Sequence, residues 1–227
     1  MSKEDFMKRN IDVAVSTDPI LDYQNIIEYA KSMQGVADFL HCDIMNENFV
    51  SKNTFDYGLV KSINSNSLIM LDVHLMQNEP WKDVPAYIDS GANIITVHYE
   101  AFEDKETLVS TLEYIKSRNA LAGLSIKPQT PFKDIRSFVF NCDILLIMGV
   151  EPGQSGQETI GETIEKVREA DKFRADNNLK FKIEFDGGVN ENNSKTLIEA
   201  GVDILVSGSY VYQSKDRKKA IEKLKEE

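Results

Sequence analysis

The 227 residues carry 26 Lys and Arg against 37 Asp and Glu, a net charge of −11, and that excess of negative charge argues against nucleic acid or an anionic membrane surface as partner. With 41% apolar residues the chain has material for a sizeable core, so disorder is excluded and a packed soluble domain is expected. The N-terminal stretch MSKEDFMKRN lacks the apolar block of a secretory leader, and no run approaches the roughly 20 apolar residues of a membrane-spanning helix, so a cytoplasmic location is expected.

Along the chain, short strand-like runs fall at Ile11–Val15, Phe39–Asp43, Leu68–Leu75, Ile94–His98, Leu121–Ser125, Ile144–Met148, Phe181–Phe185 and Ile204–Val206. Between them lie stretches with helical spacing, such as Trp81, Val84 and Ile88, or Ile160, Ile164 and Val167. A recurring phrase marks passage from helix to strand: Gly35-Val36-Ala37-Asp38, Gly91-Ala92-Asn93, Asn141-Cys142-Asp143 and Gly201-Val202-Asp203, each followed by an apolar run. Regular alternation of strand and helix calls for parallel strands with helical crossovers. Eight such units with no linker predict one (β/α)8 barrel domain over residues 1–227, an α/β fold with a parallel eight-stranded core. Polar loops after the second and sixth strands, Met45–Asn53 and Pro152–Thr159, sit on the side where barrels carry their working residues.

All three histidines, His41, His74 and His98, fall at the carboxyl ends of the second, third and fourth strands. Side chains at i and i+2 share a face of a strand, so His41 and Asp43 aim together, and His74 and Met76 face inward while Val73 and Leu75 face the helices. Asp186 ends the seventh strand just before Gly187 and Gly188. The set His41, Asp43, His74 and Asp186 offers two imidazoles and two carboxylates, which suits one divalent ion such as Zn²⁺, Fe²⁺, Mn²⁺ or Co²⁺. Cys42 and Cys142 show no metal-ligand spacing and are expected to be buried thiols. Glycines of the late strands, in Pro152-Gly153-Gln154-Ser155-Gly156-Gln157, in Asp186-Gly187-Gly188 and in Gly208-Ser209, predict a backbone cradle for a phosphorylated substrate.

Four segments in order give the chain a family likeness: Ala37 through Met45, Leu71 through Met76, Pro152-Gly153 with Gly156-Gln157, and Ile183 through Val189. Over nearly its full length the sequence resembles ribulose-phosphate 3-epimerases. That resemblance implies a TIM barrel with one divalent metal that inverts C3 of D-ribulose 5-phosphate to give D-xylulose 5-phosphate. It implies His41, Asp43, His74 and Asp186 as metal ligands, and Asp43 with Asp186 as the acid/base pair. It also implies Met45, Met76 and Met148 as a collar around the reacting carbons, and a homo-oligomer whose size the sequence does not reveal. Asp72 and Glu184, two residues before His74 and Asp186, are expected to orient the histidines.

The likeness has departures. Aligned through Ser16-Thr17-Asp18, the first strand has Asp12 and Val13 where the family has Pro-Ser, so a hydroxyl that contacts substrate is expected to be missing. Asn46-Glu47, Glu151 and Gln154-Ser155 also replace family residues, which makes a ketohexose-phosphate 3-epimerase of the D-allulose 6-phosphate type the leading alternative. A sugar-phosphate-binding relative without activity is a further one. A decarboxylase of the orotidine-phosphate kind is disfavoured, because Asp72-Val73-His74-Leu75-Met76 lacks the lysine of its Asp-x-Lys-x-x-Asp pattern.

Overall fold

A computed structural model describes residues 10–153 and 156–226. Its strands are β1 Asp12–Ser16, β2 Phe39–Met45, β3 Met70–Met76, β4 Ile94–His98, β5 Leu121–Ile126, β6 Ile144–Met148, β7 Lys182–Asp186 and β8 Ile204–Ser207. Each runs parallel to the next, and β8 pairs with β1 to close the barrel. The helices are α1 Tyr23–Met33, α2 Tyr57–Asn66, α3 Val84–Asp89, α4 Lys105–Ser117, α5 Glu162–Asp176, α6 Ser194–Ala200, α7 Ser209–Gln213 and α8 Arg217–Leu224. Aspartates open several of them: Asp22 accepts the Asn25 N–H at 2.9 Å, and Asp104 accepts those of Glu106 and Thr107 at 3.1 and 3.0 Å.

The expected alternation fails once. Between β5 and β6 the described chain makes two single turns of 3-10 helix, Phe132–Asp134 and Val139–Asn141, where an α-helix was expected. Pro128 and Pro131 explain this, since each lacks an N–H and restricts the residue before it. Phe132, Ile135 and Val139 still fill the helix layer, each at most 1% exposed. The other differences concern boundaries, where six strands begin or end one or two residues from their expected limits. Leu68 lies outside β3 and is 86% exposed, and Ile160 precedes α5.

Two apolar layers flank the strands. Outward-facing Val13, Val15, Leu40, Cys42, Ile44, Val73 and Leu75 pack against the helices, whereas Ala14, Phe39, Ile94, Ile144, Ile204 and Val206 fill the lower bore. Such burial on both faces is what keeps parallel strands apolar. Cys42 and Cys142 are buried free thiols, and burial pushes both pKa values up.

The recurring Asp/Asn phrase has a structural counterpart at the foot of the barrel. Each of these residues precedes an even-numbered strand, and its side chain accepts a backbone N–H of the strand before. Asp38 takes Val13 at 2.8 Å, Asn93 takes Leu71 at 2.7 Å, Asp143 takes Ala122 at 3.1 Å and Asp203 takes Ile183 at 2.8 Å. The backbone N–H of each returns a bond to the carbonyl of the same partner, at 2.7–3.1 Å. Gly201, with φ +118°, supplies the left-handed turn that delivers Asp203 to its strand, and a Cβ there would sit 2.6 Å from Asp171.

Asp203 also accepts from the largely buried Arg174. Asp203→Ala leaves the Ile183 N–H without this acceptor and takes from Arg174 one of its two carboxylate partners, the other being Asp171, and is expected to cost about 3 kcal/mol. A thermal melt should record this as a drop of about 6–12 °C. A shift within about 2 °C, under roughly 1 kcal/mol, would show that the contact is dispensable.

Candidate active site

His41 and Asp43 come from β2, His74 from β3 and Asp186 from the last position of β7. Strand pleating turns all four inward at the carboxyl end of the barrel, as the i, i+2 reading predicts. One donor atom from each lies within 4.8 Å of the donors of the other three, so the group can hold a metal ion. His41 Nε2 is 3.4 Å from Asp43 Oδ1 and 3.4 Å from His74 Nδ1, and His74 Nδ1 is 3.5 Å from Asp43 Oδ1.

The groups around this cluster fix its orientation. Ser16, at the end of β1, donates its hydroxyl to Asp43 Oδ2 at 2.7 Å. Val13, where the missing hydroxyl was expected, packs into the outer layer, and Ser16 presents its hydroxyl at the mouth. The pleat of β1 decides which of its residues faces inward. On the other side of the His41 ring, Nδ1 lies 2.5 Å from Asp72 Oδ2 and 3.6 Å from Glu184 Oε1. Asp72 therefore accepts a hydrogen bond from His41 Nδ1–H and holds the ring with Nε2 turned to the cluster. The third histidine, His98, reaches His74 from β4, with the two Nε2 atoms 2.9 Å apart, and its Nδ1 is 3.2 Å from Glu100. Sequence reasoning missed Ser16 and Glu100, although the spacing His98-Tyr99-Glu100 repeats the His-x-acid pattern of His41-Cys42-Asp43.

Burial alone would raise the Asp43 carboxyl, but the charge of the adjacent His41 holds it well below the usual range. Burial, with the negative charge of Asp43, pushes Asp186 up to about 7. Burial also lowers His74 to about 4, and raises Glu184 well above an ordinary carboxylate with help from the charge of Asp72. A divalent cation fits this donor set. It would offset two carboxylates that otherwise oppose each other, and two nitrogens already face it.

Above the cluster opens a cavity of about 560 Å³. Met45, Met76 and Met148 line one part of it. Gly153, Gly156, Gly187, Gly188, Gly208 and Ser209 line another. Gln154 and Ser155 lie outside the described residues. Gly188, with φ +70°, passes so close to the sixth loop that a Cβ would sit 2.7 Å from the Gln157 carbonyl oxygen and 2.8 Å from the Thr159 nitrogen. Its own carbonyl accepts from Asn190 at 2.8 Å and Asn193 at 3.0 Å, which pins the glycine turn. Among the described lining residues there is no Lys or Arg, so an anion bound here would meet main-chain N–H groups and neutral donors such as Asn192 and Ser209. No helix among the described residues is long and apolar enough to cross a membrane.

Known proteins resemble this chain to different depths. The 3-keto-L-gulonate-6-phosphate decarboxylase structure from Vibrio cholerae superposes with a TM-score of 0.71 over 95% of each chain, but at 11% identity it shares only the fold. Ribulose-phosphate 3-epimerase from Bacillus subtilis is 37% identical over 193 residues, covering 85% of this chain and 88% of that one. The Aquifex aeolicus enzyme of the same name is 36% identical over 194 residues, covering 86% of each. Residues 13–212, which include every member of the His/Asp cluster, match the ribulose-phosphate 3 epimerase family. The chain is an isomerase that belongs to the ribulose-phosphate 3-epimerase family.

Proposed function

We propose that this protein inverts C3 of D-ribulose 5-phosphate to give D-xylulose 5-phosphate, with Asp43 and Asp186 moving the protons. The observation that carries this reading is the pairing of a buried carboxylate from β2 with a half-buried one from β7, their oxygens within 4.8 Å of each other at the floor of the cavity. Inversion beside a ketone removes a proton from one face of the carbon and delivers one to the other, which takes two groups. One carboxylate withdraws the proton and the other supplies its replacement. Ser16 holds Asp43 by one oxygen, so the carboxylate cannot swing away from the cavity floor.

His41, Asp43, His74 and Asp186 would hold one divalent ion, for which Zn²⁺, Fe²⁺, Mn²⁺ and Co²⁺ all match the mixed N/O donors. When bound, such an ion supplies Lewis acidity toward the oxygens on C2 and C3. Met45, Met76 and Met148 give the reacting carbons an apolar wall that excludes water. Main-chain N–H groups around Gly188, Gly208 and Ser209, with Gly153 and Gly156 of the sixth loop, take the phosphate. Gln154 and Ser155 belong to that same loop.

The test is a substrate panel. We expect kcat/KM for D-ribulose 5-phosphate to exceed that for D-allulose 6-phosphate by at least about tenfold, the effect of roughly 1.4 kcal/mol in transition-state binding. The reverse ranking reassigns the enzyme to ketohexose phosphates, and binding of both without turnover of either leaves only a sugar-phosphate-binding protein.

A further inference from the structure

The ring of His74 touches the donor cluster with Nδ1 and something else with Nε2. Its Nε2 lies 2.9 Å from Nε2 of His98, and Nδ1 of His98 lies 3.2 Å from Oε2 of Glu100. The other oxygen of Glu100 accepts the backbone N–H of Lys127 at 2.8 Å and a bond from the Thr130 hydroxyl, so the chain of contacts ends on an anchored carboxylate. The Phe49 ring covers His98, with ring centres 4.9 Å apart, and His98 is fully buried.

Proton counting gives this chain a direction. Glu100 accepts at both oxygens, so the proton in its contact with His98 sits on His98 Nδ1. A neutral imidazole has one N–H, which leaves His98 Nε2 bare and able only to accept. The proton in the contact between the two histidines is then on His74 Nε2. His74 Nδ1 is left bare, facing Asp43 and His41. Reversed, the same contacts would place a proton on His74 Nδ1 and block its lone pair.

We infer that Glu100 and His98 are positioning residues that set the tautomer of His74 and so aim its Nδ1 lone pair into the donor cluster. The inference rests on the reading of that cluster as a metal centre. It assigns His98 and Glu100 to the support of one ligand, as Asp72 supports His41.

Ring ¹⁵N shifts, read by long-range ¹H–¹⁵N correlation on metal-free and Zn²⁺-loaded protein, report the tautomer directly, and competition with a chelator reports Zn²⁺ affinity. We expect His74 in the Nε2–H form in the wild type, with and without Zn²⁺. In His98→Leu and Glu100→Leu, metal-free His74 should become a mixture of tautomers, and Zn²⁺ affinity should fall about 10–100-fold. His98→Gln, whose amide oxygen can still accept the His74 proton, should retain most of the affinity. Wild-type His74 protonated at Nδ1, or His98→Leu binding Zn²⁺ as tightly as wild type, overturns the inference. A wild type with the expected tautomer that takes up no Zn²⁺ overturns the metal-centre reading beneath it, and the same spectrum tells that result apart from a failure of the relay.

Discussion

Asp43→Asn and Asp186→Asn should each reduce exchange of the C3 hydrogen of D-ribulose 5-phosphate with deuterated water by at least about 10³-fold, within the usual range for loss of a general acid or base. Asparagine keeps the size and planarity of the side chain, and its oxygen can still accept the Ser16 hydroxyl at position 43, so the fold should survive. The loss comes from chemistry: an amide neither takes nor returns a proton at neutral pH. Deuterium incorporation followed by NMR, on samples whose metal content is measured in parallel, separates this from a weakened ion site. Exchange within about tenfold of wild type, a change of only about 1.4 kcal/mol in the barrier, would remove that aspartate from the mechanism.

Removal of divalent metal is the second large effect. Dialysis against a strong chelator should lower turnover by at least about 10²-fold, the scale of several kcal/mol of lost charge stabilisation, and a single added divalent ion should restore it. The same treatment should lower the melting temperature. A ligand present at about 100 times its dissociation constant stabilises the folded state by roughly 2.7 kcal/mol, so for a chain of this size the drop is about 5–11 °C. The sign follows from the cluster, where burial and the charge of Asp43, which together push Asp186 up to about 7, stand uncompensated once the cation is gone. Full activity in protein shown by elemental analysis to be free of metal would leave the two carboxylates to work alone.

Much of this was legible before any coordinates, because a parallel barrel buries its strands on both sides and so writes them as apolar runs. Ile94–His98 and Ile144–Met148 were located to the residue for that reason. Strand pleating then placed His41, Asp43, His74 and Met76 on the inner face from spacing alone. What resisted was contact between strands. No spacing within one strand shows that His98 on β4 meets His74 on β3, because that depends on barrel curvature and on which ring atoms turn toward each other. Ser16 was overlooked for a related reason, since a serine at a strand end looks like turn chemistry until its partner on β2 is known. The missing helix between β5 and β6 was written in Pro128 and Pro131, but a buried Phe132, Ile135 and Val139 mimic helical spacing.

The aspartate and asparagine clasps at the barrel foot carry a consequence for the opposite end. Each ties partners only 20 to 25 positions apart, so neighbouring strands can be locked in step before the ring shuts. A slip of one residue would turn His41 or His74 outward into the helix shell. The depth at which the carboxylates and imidazoles meet is thus gauged in part from the far rim, at the opposite end of the barrel from the cavity, and loops at the mouth can diverge without disturbing it.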